Sequence, residues 1–426
     1  MEFYWEFDVA PDLQCQLAHV LVERNGGMSI LPSLRTLVLN LGFTIEPCAN
    51  IIYLLSSSLV YLKLDVASVL DGYYAEPAHL LALIRSIFQV SPLLESVVLE
   101  TLSMEWPRDG LQHSLVAHEL LQLERLCIVQ ICTPIRYGDV HTLLSKFNIV
   151  KLQVVLLEDR LITPVTTPYY ITAHSLRALH LAGAAPVISR MLEAVSLPAL
   201  EHMELLFYIA GAAGADTCLP VLTAAAAASL SSTLHHVQIR AISKVAPLEG
   251  PRVPVSLMDL VRPYLRTSNM QEFLFMFGLS GRFRISAGDA DVAKLGQAFP
   301  LLRTLVVSWS GPRDGRMVLT PYLLLDIARS CPQLRELRLP YLDHTIDLTR
   351  LPPTAELRPH ALRGLYIVGG PRARDEVKPE VVDRLCDFLC ALFPHAFLAL
   401  HIAGKTWNEV SKRLHKRRTR VPPPEL

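Results

Sequence analysis

Residue types that could carry catalysis occur at few places in this chain of 426 residues, and none has the spacing that a known chemistry requires. Gly278-Leu279-Ser280-Gly281 is one residue short of the G-x-S-x-G turn that exposes a nucleophilic serine. The phosphate-binding pattern G-x-x-x-x-G-K and the dinucleotide-binding pattern G-x-G-x-x-G do not occur. We therefore expect a protein that is not an enzyme and that needs no cofactor.

Histidines that could bind a metal come in two pairs. His113 and His118 are five residues apart, which misses the i, i+4 spacing of a zinc-binding helix. His235 and His236 are adjacent, and in a strand adjacent side chains point to opposite faces, so they would not share one ion. The sequence predicts no metal site.

The eight cysteines form no C-x-x-C pair, and no secretory leader precedes them. Cys386 and Cys390 share a helix face at i, i+4, but they lie beside Leu385 and Leu389, which indicates core thiols. Cys331 is predicted to be buried as well. A reduced protein of the cytoplasm or the nucleus is the simplest interpretation.

Charge and hydropathy exclude two further classes of partner. The chain has 40 Lys and Arg residues and 40 Asp and Glu residues, so it lacks the basic excess of a general nucleic-acid surface. The best candidate for a membrane span, the uncharged stretch Thr217 to Leu234, contains Pro220 and a run of five alanines. Because a membrane span needs about 20 strongly apolar residues, we expect a buried helix there and no membrane span.

The element that recurs along the chain is L-x-x-L-x-L, as in Leu334, Leu337 and Leu339. Side chains two residues apart point to the same face of a strand, so the last two positions indicate a strand with one buried face. We count thirteen such triplets; the fourth is Leu123/Leu126/Ile128 and the last is Phe397/Leu400/Ile402. Their first residues are Leu34, Leu59, Leu94, Leu123, Ile149, Leu176, Leu200, Leu234, Met270, Leu302, Leu334, Leu362 and Phe397.

The triplets follow one another at intervals of 24 to 36 residues, and the pattern resembles the longer form of the leucine-rich repeat, with a helix in each unit. The resemblance implies an α/β solenoid, with a parallel sheet on the concave side and helices on the convex side. The usual Asn or Cys after the last leucine is missing, so the turns must satisfy their backbone groups in other ways. We therefore expect an irregular horseshoe.

Helices are readable between the strands. Leu80, Leu81, Ile84, Ile87 and Phe88 form one apolar stripe. Another stripe joins residues 381–392, and Thr320-Pro321 is typical of the start of a helix over residues 322–329. At the other end of the chain, residues 3–9 alternate like a strand.

We predict one elongated domain over residues 1–404 and a basic, proline-ending tail over residues 405–426, read as a solvated helix end. Pro-Arg-Asp-Gly occurs at residues 107–110 and 312–315, each time after a tryptophan, and indicates two exposed turns that could form part of a contact site on the rim.

A repeated scaffold of this kind offers the strand residues between the leucines to a partner. Charges of both signs and apolar side chains occur there, which suits a protein partner better than an anionic polymer. The candidate binding residues are Lys63, Asp65, Glu100, Lys151, Gln153, His180, Glu204, Gln238, Arg240, Ser308, Glu336, Arg338 and Tyr366.

Segments such as Phe299-Pro-Leu-Leu-Arg-Thr-Leu305 and Cys331-Pro-Gln-Leu-Arg-Glu-Leu337 resemble the repeats of the fungal F-box/leucine-rich-repeat proteins. In that family the repeats select a target protein, and an F-box binds the linker subunit of a cullin ubiquitin ligase. No segment before Leu31 resembles an F-box, so the linker subunit would be a partner only if an F-box lies upstream. The resemblance implies a protein-binding scaffold of a ligase adaptor.

Two alternatives stay open at the level of the sequence. The cluster of Lys412, Arg413, Lys416, Arg417, Arg418 and Arg420 could serve a nuclear or nucleic-acid-associated factor. The chain could also be a truncated product without a partner.

Overall fold

A computed structural model of the chain forms two compact units, residues 1–200 (unit 1) and 201–426 (unit 2). Both units are of the α/β class, with parallel strands and helices. The structure describes residues 2–6, 20, 23–26, 31–41, 55–66, 77–101, 116, 118–146, 148–156, 170–209, 215–229, 232–243, 253–278, 283–310, 319–368, 378–401 and 405–418.

In the described part of unit 1, seven parallel strands pair in sequence order within one sheet. The strands are β1 (Glu2–Glu6), β2 (Thr36–Leu41), β3 (Tyr61–Val66), β4 (Ser96–Thr101), β5 (Ile128–Ile135), β6 (Lys151–Leu156) and β8 (Ala178–Ala184). A small parallel pair is formed by β7 (Ile171–Thr172) and β9 (Val195–Ser196).

Three helices with described bounds lie between these strands of unit 1. They are α1 (Pro77–Val90), α2 (Tyr137–Lys146) and α3 (Ala185–Glu193). In α1 the buried side chains are Leu83, Ile84, Ile87 and Phe88, whereas Leu81 is half-buried. The predicted apolar stripe of α1 is therefore confirmed at its last three positions.

Seven further parallel strands, again paired in sequence order, occur among the described residues of unit 2. They are β10 (His202–Ile209), β11 (His236–Ser243), β13 (Glu272–Gly278), β15 (Thr304–Ser310), β16 (Glu336–Leu339), β17 (Gly364–Val368) and β18 (Phe397–His401). A second small sheet pairs β12 (Val253–Ser256) with β14 (Phe283–Ser286).

Six helices complete the described part of unit 2. They are α4 (Ala215–Ala228), α5 (Leu257–Val261), α6 (Asp289–Ala298), α7 (Leu323–Ser330), α8 (Pro379–Leu392) and α9 (Lys405–Arg418). Three short 3-10 helices cover Arg262–Tyr264, Leu348–Arg350 and Thr354–Glu356. Thr320 lies in the turn before α7, and its hydroxyl accepts a hydrogen bond from the Tyr322 N–H.

The repeated leucines build the core of both units. In β16, Leu337 and Leu339 are fully buried while the intervening Arg338 is half-exposed, as the period of two requires. The leading leucine, Leu334, donates its N–H to the Cys331 carbonyl and so closes a four-residue turn before the strand. Equivalent turns end at Leu34, Leu59, Leu94, Leu176, Leu200, Met270 and Leu302.

Backbone groups at the start of the strands are satisfied by a repeated ladder. The Arg303 carbonyl accepts the N–H groups of both Arg335 and Glu336, at 2.7 and 3.1 Å. The Arg335 carbonyl accepts those of Arg363 and Gly364 in the same way. Main-chain hydrogen bonds between successive repeats therefore satisfy these backbone groups without side-chain amides.

Two predicted triplets are wrong in register. In the fourth repeat, Val129 and Ile131 lie opposite Val97 and Leu99 and are buried, whereas Ile128 is half-exposed. The prediction failed because the apolar turn before β5 imitates the strand pattern.

The last triplet is wrong for a similar reason. Leu398 and Leu400 lie opposite Leu365 and Ile367, and the Phe397 side chain is 63% exposed. Here the turn closes at Ala396, whose N–H donates to the Phe393 carbonyl. The segment from this turn to the first buried strand residue is therefore one residue shorter than in the repeats that share the turn of Leu334.

The C-terminal helix α9 is packed against α8 and β18. Trp407, Val410 and Leu414 are buried along one side, and the Trp407 indole N–H donates to the Leu342 carbonyl at 2.9 Å. The expectation of a solvated helix end is therefore wrong for this side of α9, because its i, i+3, i+7 apolar spacing lets it bury a stripe. The domain boundary at residue 404 stays a prediction.

Candidate functional site

The strand face of unit 1 consists of the side chains that alternate with the buried leucines. Gln153 on β6 lies opposite Gln130 on β5 and His180 on β8. Lys151 precedes this row by two residues, and all of these side chains are half-exposed. The alternation confirms that these positions face away from the core; binding by them stays a prediction.

A charged group lies on β3 and β4 within the same strand face. Asp65 lies opposite Glu100, and Lys63 Nζ contacts Glu100 Oε2 at 2.6 Å. The hydrogen bond with Glu100 is the main reason that the pKa of Lys63 is raised. Asp65 Oδ1 is buried and has no hydrogen-bond partner among the described residues.

The strand face of unit 2 carries a row of Glu204, Gln238, Leu274, Val306, Arg338, Tyr366 and Ala399 on consecutive strands. Gln238 Nε2 donates to Glu204 Oε2 at 3.4 Å. Arg338 Nε is buried without a hydrogen-bond partner among the described residues. The row is thus acidic at one end, apolar in the middle, and basic and aromatic at the other end.

Neighbouring rows of unit 2 complete this surface. Leu206, Arg240, Met276 and Ser308 lie in register two residues further along their strands. Glu336 lies two residues before Arg338 and is exposed. The Tyr366 ring lies over Gly364, where a Cβ would be 2.7 Å from Tyr366 Cε2, so only glycine allows this ring position.

A histidine and glutamate cluster at the start of β10, β11 and β13 was missed by the sequence analysis. The His236 ring contacts Glu272 Oε2 through Nδ1 at 2.9 Å and lies 3.8 Å from Glu204 Oε1 through Nε2. Burial is the main cause that lowers the pKa of His202, and the neighbouring His235 and His236 lower it further. The register between the three strands brings these groups together, and this register cannot be read from the sequence.

The prediction that His235 and His236 point to opposite faces is wrong. Both rings lie beside His202, with centroid distances of 4.5 and 5.5 Å. His235 lies one residue before β11, outside the strand, so the alternation rule does not apply to it. Among the described residues, no group of three or more His, Cys, Asp or Glu side chains is placed to hold a metal ion.

Four cysteine side chains favour the neutral thiol. Burial raises the pKa of Cys331 and of Cys386 to about 11 in each case. Desolvation also raises the pKa of Cys127 and Cys132. Because the thiolate is the nucleophilic form, these four residues are poorly suited to nucleophilic chemistry at neutral pH.

The basic cluster of the C-terminal helix is partly neutralised. Arg413 Nη1 contacts Asp383 at 2.6 Å and Arg417 Nη1 contacts Asp387 at 2.5 Å. Arg413 Nε also contacts Glu409. These guanidinium groups therefore already hold α9 against α8.

Several sequence predictions lie outside the described residues. The Ser280 motif continues beyond Gly278 into residues 279–282, and His113 falls in residues 102–115. The two Pro-Arg-Asp-Gly turns, 107–110 and 312–315, are also outside. In the described part of the chain, no helix combines the length and the apolar character needed to cross a membrane.

Comparisons with known proteins give a fold-level likeness at most. No protein-family model matches the chain, and no curated protein matches its sequence. Among solved structures, a chain of the crystal structure of the Rad7 and Elc1 complex in yeast is 15% identical to this chain, with a TM-score of 0.39. The match covers 84% of this chain and 83% of the other.

Proposed function

We propose that the chain is a protein-binding scaffold without catalytic activity, built as a leucine-rich-repeat solenoid that offers its strand face to a target protein. The observation that carries the proposal is the strand face of unit 2, where Glu204, Leu274, Val306 and Arg338 lie in register on four of its strands. A mixture of charges around an apolar centre is the composition of protein interfaces.

Unpaired polar atoms on the strand faces support the same proposal. Asp65 Oδ1 and Arg338 Nε are buried but lack a hydrogen-bond partner in the described part of the chain. A buried polar group without a partner costs free energy, which a bound protein could recover by supplying the missing partner through small side-chain shifts. The resemblance to F-box/leucine-rich-repeat proteins suggests selection of a target for ubiquitin ligation in the cytoplasm or nucleus.

Site-specific photo-crosslinking in the native cell tests this function. The crosslinking amino acid replaces Gln153 or Gln238, which are half-exposed on the two strand faces, and in matched controls it replaces Arg190 or Lys294, which are exposed on helices. We expect one protein to be captured from a strand-face position and not from the helix positions. Capture that is equal at all four positions, or that occurs only from the helices, would refute the proposal.

The crosslinked complexes also test the role as a ubiquitin-ligase adaptor. Mass spectrometry of the captured complexes should detect ubiquitin-ligase subunits together with the target. A target captured without any ligase subunit would leave a binding scaffold and reject the adaptor role.

A further inference from the structure

Three arginines directly precede three neighbouring strands of unit 2: Arg303 before β15, Arg335 before β16 and Arg363 before β17. The Arg335 N–H donates to the Arg303 carbonyl at 2.7 Å, and the Arg363 N–H donates to the Arg335 carbonyl at 2.8 Å. The three residues are therefore in register, and adjacent members are about 4.8 Å apart along the sheet. All three side chains are exposed. We call this set the arginine row.

The arginine row lacks partners of opposite charge within the described residues. None of its three side chains forms an ion pair or a side-chain hydrogen bond there, in contrast to Arg413 and Arg417 on α9, which both contact carboxylates. Like charges at neighbouring positions on adjacent strands repel each other. A ligand with negative charges would remove that repulsion.

We propose that the arginine row binds a segment of the partner protein that is rich in Asp and Glu. The guanidinium group is planar and matches a carboxylate with two parallel hydrogen bonds. The row spans about 10 Å, two strand spacings, which is the length of about three residues of extended chain. A short acidic run can therefore reach all three guanidinium groups. The inference rests on the proposed function, because it assigns one part of the partner.

The chemistry around the row favours a protein segment over a nucleic acid. The exposed carboxylate of Glu336 directly follows Arg335, so a ligand must tolerate one negative charge within the row. A peptide can place a neutral residue there, whereas a nucleic-acid backbone carries a charge on every nucleotide. Phe397, whose N–H donates to the Arg363 carbonyl, is exposed and could stack on a base. An oligonucleotide is therefore the competing ligand in the test.

The test uses the full chain and a fluorescein-labelled peptide of eight residues in which Glu alternates with Gly, with binding followed by fluorescence anisotropy at about 0.1 M salt. The row variant combines Arg303→Gln, Arg335→Gln and Arg363→Gln. Exposed ion pairs are individually weak, so we expect the three substitutions together to weaken binding about tenfold. Binding to the wild-type chain should also weaken as salt is added.

A matched control variant removes three exposed positive charges elsewhere in unit 2. It combines Arg262→Gln, Lys294→Gln and Lys412→Gln. We expect its affinity for the peptide to stay within about twofold of the wild-type value, because its three residues lie on helices and not at the start of β15, β16 or β17. Thermal unfolding of both variants verifies that they remain folded, and single substitutions replace any triple variant that does not.

Several results would overturn the inference. They are the absence of peptide binding to the wild-type chain, an equal affinity of the row variant, and an equal loss in the control variant. Tighter, row-dependent binding of a single-stranded oligonucleotide would also overturn it, in favour of a nucleic acid. A crosslinked partner that binds the row variant normally would refute this inference and leave the proposed function intact. Peptide binding by the row without any strand-face partner would support the row and reject the proposed function.

Discussion

Removal of the Trp407 side chain should detach helix α9 from the end of unit 2. Trp407 is fully buried, and its indole N–H donates to the Leu342 carbonyl at 2.9 Å. Replacement of a buried tryptophan by alanine costs about 3–5 kcal/mol of unfolding free energy. Trp407→Phe keeps most of the apolar area but leaves the Leu342 carbonyl unpaired, which costs about 1–3 kcal/mol.

Hydrogen exchange followed by mass spectrometry measures this loss locally, which is preferable because a chain with two compact units need not unfold in one step. Trp407→Ala should increase exchange in β18 and α8, the elements against which α9 packs. Lys412→Ala, an exposed position on the same helix, is the control and should change stability by no more than about 0.5 kcal/mol. Unchanged exchange in β18 for both Trp407 variants would show that α9 does not cover this end of the unit.

Three further predictions follow from single contacts. Gly296→Ala should destabilise unit 2 by about 1–3 kcal/mol in chemical unfolding, because its Cβ would lie 2.7 Å from Ser330 Oγ. The lowered pKa of His202 means that the unfolded chain binds a proton first, so unit 2 should lose stability as the pH falls below 6.5, and His202→Gln should reduce this loss. A double-mutant cycle on Lys63 and Glu100 should give a coupling of about 0.2–1 kcal/mol, because the pair is partly exposed.

Each of these predictions has its own control. Gly138→Ala should not destabilise the chain, since nothing lies within 4 Å of the added Cβ. His395→Gln, at an exposed histidine, is the matched substitution with which the pH profile of His202→Gln is compared. The coupling between Lys63 and Glu100 should decrease with added salt, and a salt-independent value would contradict an ionic origin.

The sequence by itself determined most of the strands that carry the repeated leucines and the side of those strands that is buried. The leucines of L-x-x-L-x-L recur at a period of two, and only burial of that face removes them from water, as at Leu337 and Leu339. The same period placed residues such as Gln153 and Arg338 on the opposite face before any coordinates were considered. Local rules also located α8 and the buried thiol of Cys386.

The tertiary structure decided the register in which neighbouring strands pair. Apolar turn residues can imitate a strand pattern, so the pairing of Val129 and Ile131 with β4 could not be read from the sequence. The His202, His236 and Glu272 cluster and the arginine row likewise depend on register between strands that are about 30 residues apart along the chain. Burial of Trp407 against Leu342, 65 residues away in the chain, is of the same kind. The physical reason is that periodicity fixes which face of an element is apolar, whereas long-range packing fixes which residues meet.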